Sequence, residues 1–97
     1  MRDVYKVVEK FPINAIQRLP DYPNRLDERW AFRLLVDFSR ERWEPITIDP
    51  EHYLLDGQHR LWVAERMALS YVDVIIDTEA NAPDMFAKRR LSLTQLN

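Results

Sequence analysis

The chain has 97 residues, fewer than an average domain, so we expect one compact folded unit. Apolar residues make up 46% of it and aromatic residues 11%, which is too hydrophobic for a disordered chain. The formal net charge of −2 gives no overall attraction to nucleic acid or to an anionic membrane, so any anion site has to be local. The sequence contains no cysteine, which excludes disulfides, thiolate catalysis and cysteine-ligated zinc, and its two histidines are too few for a metal cage.

The first residues carry no signal-peptide pattern, and the longest apolar runs are only a few residues. We therefore expect a soluble, cytoplasmic protein with no membrane contact. Basic residues are strongly skewed towards arginine, with three lysines among the 14 basic side chains. The planar guanidinium group suits phosphate and carboxylate, so this bias is compatible with a local anion site.

The first half of the chain predicts extended structure, a loop and a helix. Apolar residues separated by charges over residues 4–16 fit one or two short strands better than a helix. Residues 18–25 contain two prolines, which remove backbone donors and predict an irregular loop. A helix then begins at the Asp27 cap and runs to about Arg40. Its predicted buried face consists of Ala31, Leu34, Leu35 and Phe38.

The second half predicts two short strands, a helix, a strand and a C-terminal helix, over residues 46–48, 53–55, 61–69, 71–76 and about 82–95. Asn81 or Asp84 is suited to begin the last helix. Trp30, Trp62 and Met67 are predicted to lie in the core. Together these elements predict an α/β (α+β) domain, with a small mixed sheet of about four strands and helices packed against it.

A single glycine, Gly57, lies where the predicted strand 53–55 gives way to the next helix. Glycine adopts positive φ without strain, so the chain can turn sharply there and a ligand can approach the backbone. The amides that begin the helix have no intrahelical partner and lie at its positive end, which attracts anions. His59 and Arg60 add donors at the same place. The local chemistry therefore favours a phosphate group.

The same residues also fit a purely structural interpretation. Glycine after a strand is often only a turn residue, and Asp56 is a suitable helix cap. Arg60 could be occupied at the surface by Glu51 or Asp56. Spacing alone does not decide between the two interpretations, since short motifs have high false-positive rates.

A resemblance to a known superfamily supports the phosphate interpretation. The chain resembles ParB/sulfiredoxin proteins in its strand, Gly-x-(Arg/His)-Arg box, helix and closing strand, at Tyr53-Leu54-Leu55-Asp56-Gly57-Gln58-His59-Arg60-Leu61-Trp62-Val63-Ala64, Ala68-Leu69 and Val72-Asp73-Val74-Ile75-Ile76. Pro23-Asn24-Arg25 resembles the Pro-x-Arg loop of the family, and Glu44-Pro45-Ile46-Thr47-Ile48 resembles its Gln-Pro-Ile-x-Val strand. The resemblance covers about residues 4–78 and implies a single domain of this type over residues 1–97.

The resemblance implies nucleotide binding. In ParB proteins the equivalent box binds the phosphates of CTP, and in sulfiredoxins it binds those of ATP. Carried onto this chain, the phosphate-binding residues are Gly57, Gln58, His59 and Arg60. Gln58 stands where sulfiredoxin has its catalytic cysteine, so sulfinic-acid repair is excluded. Trp43 stands roughly where ParB has a glycine that helps to recognise the base, which leaves the preferred base open.

Further residues are candidates for the same site. Arg25 and Arg29 could reach the pocket from the loop and from the first turn of the next helix, with a solvated helix face as the alternative. Trp43 could stack on a base, with a position in the core or a lid as the alternative. Asp56 and His59 are the candidate catalytic residues, and one carboxylate with the phosphates would suffice to hold Mg²⁺. No site for a metal held by protein side chains alone is predicted. The basic run Lys88-Arg89-Arg90 could contact a nucleic-acid backbone or an acidic partner, but a solvated helix face is favoured.

Three functions remain open from the sequence. The first is a nucleoside triphosphate-binding domain, for ATP or CTP, with slow hydrolysis or phosphoryl transfer. The second is a ParB-like nuclease or DNA-associated protein of plasmid or phage type, against which the near-neutral charge argues. The third is a regulatory domain that binds a protein partner and has lost the nucleotide chemistry.

Overall fold

A computed structural model describes residues 4–20, 22, 25–39, 41 and 43–95, with side chains as far as residue 88. In chain order the strands and helices are β1 (Tyr5–Pro12), α1 (Glu28–Val36), β2 (Ile46–Ile48), β3 (Leu54–Asp56), α2 (Gln58–Arg66), β4 (Tyr71–Asp77) and α3 (Ala82–Gln95). A short 3₁₀ turn at Ile13–Ala15 ends the first extended segment, for which one or two strands were expected.

The four strands form one mixed sheet in the order β1-β4-β2-β3. Strand β4 runs antiparallel to β1 and parallel to β2, and β3 pairs antiparallel with β2. This confirms the predicted α+β class with a small mixed sheet. The parallel β2–β4 pair is joined by a crossover that contains β3 and α2, and this places the N-terminus of α2 beside the sheet edge formed by β3.

The core follows the alternation of the strands. Val72 and Val74 of β4 are buried, whereas Tyr71 and Asp73 between them are exposed. The two outer residues of β2 are fully buried beside them. The remaining members of this cluster are Phe11, Leu54, Leu61 and Ala64. A rigid sheet and the inner face of α2 thus support the β3–α2 junction.

The two helices next to that junction differ in length from their predictions. Helix α1 begins at the predicted Asp27 cap, whose carboxylate accepts hydrogen bonds from two amides of the first turn. It ends at Val36, earlier than the predicted end at about Arg40, which lies outside the described residues. The end is tightened because the amide of Phe38 bonds to the carbonyl of Leu35, three residues back.

Helix α2 begins at Gln58, three residues before the predicted start at Leu61. Gly57 turns the chain from β3 directly into the helix, so the whole Gln58-His59-Arg60 segment forms the first helical turn. The sequence predicted the amides of these residues at the positive end of the helix, although the run of helix formers began only at Leu61. Their amides therefore lie at the N-terminus of α2 itself.

Asp49, in the turn between β2 and β3, is the one polar residue that is buried in the described part of the chain. Its Oδ1 accepts hydrogen bonds from the amides of Glu51 and Tyr53, and its Oδ2 accepts one from the amide of Ala82. One carboxylate thereby fixes the β2–β3 turn and attaches the start of α3 to it. None of the described helices is both long and apolar enough to cross a membrane.

Candidate functional site

Gly57 has the positive φ that the sequence indicated, with φ 102° and ψ 28°. A Cβ atom at this position would lie 3.2 Å from Cγ1 of Ile46 and 3.4 Å from Nη1 of Arg60. Glycine therefore suits the left-handed backbone conformation, and a Cβ here would press tightly on Ile46 of β2. Because Gly57 has no side chain, no side-chain hydrogen bond caps α2, and its first amides remain available to a ligand.

Arg60 lies one turn into α2 and points back towards the chain before β2. Its Nη1 donates to the carbonyl of Pro45 at 3.0 Å, and its Nη2 lies 3.1 Å from Oε2 of Glu44. The Arg60 side chain is 28% exposed, whereas that of Glu44 is 76% exposed. Arg60 therefore has a surface ion pair, as the structural interpretation allowed, but its partner is Glu44 and not Glu51 or Asp56. Because this carboxylate is exposed, solvent or a ligand can replace it.

Gln58 and His59 connect the start of α2 to the segment that enters α1. Nε2 of Gln58 donates to the carbonyl of Arg25 at 2.7 Å, and the amide of Asp27 donates to Nε2 of His59 at 2.9 Å. The second bond requires an unprotonated Nε2. Both side chains thus hold the Arg25–Asp27 segment against the N-terminus of α2. The lone pair on Nε2 of His59 is occupied by the hydrogen bond from the Asp27 amide.

These contacts enclose a cleft of about 270 Å³ at the start of α2. Six of the seven predicted site residues line it, namely Arg25, Asp56, Gly57, Gln58, His59 and Arg60. Tyr22, Trp30 and Leu34 complete its walls. The β3–α2 junction provides one side of the cleft, while the loop before α1 and the first half of α1 provide the other.

The seventh predicted residue, Trp43, lies in an adjoining cleft of about 580 Å³. Its ring packs edge-on against Phe38 at a centroid distance of 6.2 Å, and its buried Nε1 has no hydrogen-bond partner. Arg60, Trp30 and Leu34 line both clefts. Arg60 therefore stands at the boundary between a polar cleft and one with aromatic walls.

Sequence reasoning expected Arg29 to reach the pocket from the first turn of α1, but Arg29 lines neither cleft, and Trp30 and Leu34 of the same helix line both. Trp30 was predicted to be core, but it is 49% exposed, and Met67 is 42% exposed. The spacing of Trp30 and Leu34, four residues apart, was the available signal, because such residues share one helix face. Their proximity to Gly57 depends on how α1 packs on α2, which local sequence does not encode.

Other predicted features lie away from the clefts. Lys88 pairs with Asp84 one helical turn earlier at 3.1 Å, which fits a solvated helix face, while the side chains of Arg89 and Arg90 lie outside the described residues. His52, to which the sequence assigns no role, packs edge-on against Phe11. Among the residues that the structure describes, no group of three or more histidine and acidic side chains could hold a metal ion.

Comparison with solved structures supports the fold. The C-terminally truncated chromosome-partitioning protein ParB from Caulobacter crescentus, complexed with CTP-gamma-S, matches 94% of this chain with a TM-score of 0.64 and 24% identity. A Pnob8-like ParB-N domain matches 84% of the chain with a TM-score of 0.60 and 15% identity. Sulfiredoxin from Arabidopsis thaliana matches 82% of the chain with a TM-score of 0.61 and 16% identity.

The ParB structures and the sulfiredoxin structure differ in how much of their own length this chain spans. The chain spans 32% of the Pnob8-like ParB chain, 53% of the Caulobacter ParB chain and 92% of the sulfiredoxin chain. No protein-family model matches the sequence, and no curated protein matches it. The likeness is one of fold, and it bears out the resemblance drawn from residues 4–78.

Proposed function

We propose that this domain of ParB/sulfiredoxin-like fold binds a nucleoside triphosphate, with the phosphates at the N-terminus of α2. One observation carries the proposal: the left-handed Gly57, the uncapped first turn of α2 and Arg60 converge on one cleft. Amides at a helix N-terminus and a guanidinium group are the donors that phosphate oxygens prefer.

Arg25 and Arg60 supply the two positive charges of the phosphate cleft. The residues present fit an anionic ligand because these cations face a helix end whose backbone is unobstructed by any side chain at position 57. Asp56 is the acidic residue that lines the same cleft. With the phosphates it would hold Mg²⁺, which keeps several waters and seldom needs more than one or two carboxylates.

The ligand has to compete with Glu44 for Arg60. An exposed ion pair of this kind stabilises a protein by roughly 0–1 kcal/mol, so the cost of opening it is small. A phosphate group carries more charge than a carboxylate and offers several acceptor oxygens to the same guanidinium group. Arg60 can therefore turn from Glu44 to the phosphate with little loss in stability.

The adjoining cleft would take the base. Trp30 and Trp43 line it, and aromatic faces stack on any base, so these walls fit a nucleobase without fixing its identity. The two clefts meet at Arg60, which suits a ligand with a charged end and a flat aromatic end. The matched Caulobacter ParB, which is complexed with CTP-gamma-S, supports a nucleotide as the ligand class.

His59 is proposed as a positioning residue, and the proposal is confined to binding. Its Nε2 accepts the amide of Asp27, so proton transfer at this nitrogen would break the contact that holds the entry to α1. Hydrolysis and phosphoryl transfer need a base that can take a proton without such a loss.

Thermal unfolding with ATP, CTP, GTP and UTP, each with and without Mg²⁺, tests the proposal. A ligand that binds only the folded state raises the unfolding midpoint, and at about 100 times its Kd it adds about 2.7 kcal/mol of stability. For a domain of this size that corresponds to a rise of about 10 °C or more. We expect this rise with at least one nucleotide, and we expect Arg60→Ala to remove it.

Arg18→Ala is the matched control, since Arg18 forms an exposed ion pair with Glu65 and lines neither cleft. This variant should keep the full nucleotide-dependent rise. No rise in the wild type with any nucleotide would contradict the proposal. A rise produced instead by a 20-base-pair DNA duplex and abolished by salt would favour the DNA-associated function.

A further inference from the structure

A second surface lies on the opposite side of α1. Trp30 and Leu34 face the clefts, whereas Phe32 and Val36 project from the other side of the helix, as the helical period requires. Phe32 is 60% exposed and Val36 is 69% exposed. With Trp62 of α2 they line a groove of about 820 Å³, here termed the α1–α2 groove.

Three arginines surround the apolar residues of the α1–α2 groove. Arg29 and Arg33 lie one turn apart on α1, so their like charges repel, and Arg66 lies opposite them on α2. In the part of the chain that the structure describes, no carboxylate forms an ion pair with any of the three. The Arg66 guanidinium instead lies over the Trp62 ring, 4.8 Å from its centroid. The groove thus combines exposed apolar side chains with three arginines and two carboxylates, Glu28 and Asp37, and so has a net positive charge in a chain of net charge −2.

We propose that the α1–α2 groove docks an acidic, amphipathic helical segment of a partner protein. Apolar side chains of that segment would cover Phe32, Val36 and Trp62, and its carboxylates would pair with the surrounding arginines. A groove between two helices with apolar side chains at helical spacing is the usual receptor for such a segment. Opposite charge across the interface would set its orientation and speed its association.

Two other occupants fit less well. A nucleic acid backbone could pair with the arginines, but it would leave the exposed apolar side chains of Phe32 and Val36 uncovered. A second copy of this chain in a twofold dimer would place the same patch against itself, so the three arginines would face three more. A partner with the opposite charge satisfies both the apolar and the basic part of the groove.

The docking proposal is independent of nucleotide binding, although the two surfaces share α1. Trp30 on one side of the helix and Phe32 on the other are separated by little more than the width of the helix, about 10 Å. A partner bound in the groove would therefore lie next to the clefts without filling them.

The test starts with a displayed library of random 16-residue peptides, selected for binding to the whole chain. We expect the enriched peptides to be rich in Asp and Glu, with apolar residues three or four positions apart. A labelled enriched peptide should bind at least about tenfold more weakly to Val36→Ser and to Arg33→Glu, each tested singly. Both positions are exposed, and circular dichroism melts would verify that both variants fold.

The matched controls are the same kinds of substitution at two exposed positions on β1. Val7 and Lys6 are exposed and do not line the α1–α2 groove. Val7→Ser and Lys6→Glu should therefore leave peptide binding unchanged. The proposal is overturned if no peptide is enriched or if the enriched peptides lack acidic residues. It is equally overturned if both groove variants retain full binding, if a labelled 20-base-pair DNA binds through Arg33, or if sedimentation shows self-association that Val36→Ser abolishes.

Discussion

At the scale of single residues, the proposed nucleotide binding depends on what Arg60 contacts. Its guanidinium group contacts both the Pro45 carbonyl and the Glu44 carboxylate. The first contact is a hydrogen bond to the backbone of the chain before β2, and the second is an exposed ion pair. A ligand that takes the place of Glu44 can leave the Pro45 contact intact, so the carboxylate of Glu44 acts as an internal competitor.

Glu44→Gln should therefore bind nucleotide more tightly than the wild type. Removal of an exposed ion pair worth roughly 0–1 kcal/mol lowers the Kd by up to about fivefold, since Arg60 no longer has to be released. Titration calorimetry of both proteins measures the change. Glu65→Gln, which removes the partner of Arg18 and lines no part of either cleft, is the control. Weaker binding by Glu44→Gln would mean that Glu44 contacts the ligand directly.

Gly57 shows how far single residues could be read from the sequence. It is the only glycine in the sequence and lies between a predicted strand and a predicted helix. That position predicted both a positive φ, which the structure has, and an anion-attracting N-terminus of α2. The contact between Arg60 and Glu44 was not predicted, because it depends on the path of the chain before β2. His59 was assigned to the phosphates, but the structure also gives it a bond to the entry of α1.

At the scale of elements, α2 is bounded by two residues of positive φ, Gly57 at its start and Ala68 after its end. At Ala68 the chain adopts φ 54°, and the amide of Leu69 bonds back to the carbonyl of Ala64 at 3.0 Å. This is the position that glycine favours after a helix, since an alanine Cβ is strained there. The sequence supplied glycine only at the end that faces the clefts.

Ala68→Gly should consequently stabilise the domain by about 0.5–1 kcal/mol, because it relieves this strain. Urea unfolding followed by circular dichroism measures the change. Ala87→Gly is the control, because Ala87 is exposed to solvent and lies between the two ends of α3. It should destabilise the domain by a similar amount, since glycine at such a position only weakens the helix. A loss of stability in Ala68→Gly would show that the Ala68 side chain contributes packing that outweighs its strain.

The boundaries of the helices were predicted less well than their existence. Periodicity identified both α1 and α2, but it set the end of α1 too late and the start of α2 too late. In both cases backbone geometry decides the boundary. After α1, the amide of Phe38 bonds to the carbonyl of Leu35, three residues earlier, which ends the regular helix. The left-handed conformation of Gly57 lets α2 begin at the next residue, Gln58.

At the scale of the whole molecule, the class of fold was predictable and the assembly of the clefts was not. Alternation in β4 and the apolar runs of β2 and β3 predicted a mixed sheet, and the sheet is observed. Trp30 reaches the clefts because α1 packs against α2, a contact between segments about 30 residues apart. The Asp49 carboxylate, which attaches α3 to the β2–β3 turn, likewise depends on a contact 33 residues away.

The most direct test of the account is a ¹⁵N NMR titration of the chain with CTP and, separately, with ATP. The account predicts that one of them shifts the amide resonances of residues 57–60 most strongly, since these amides would meet the phosphates. The three tryptophans add an internal comparison. The indole signals of Trp30 and Trp43 should move with the base, while that of Trp62 in the α1–α2 groove should stay in place. Unchanged amides at residues 57–60 with saturating amounts of either nucleotide would contradict the account.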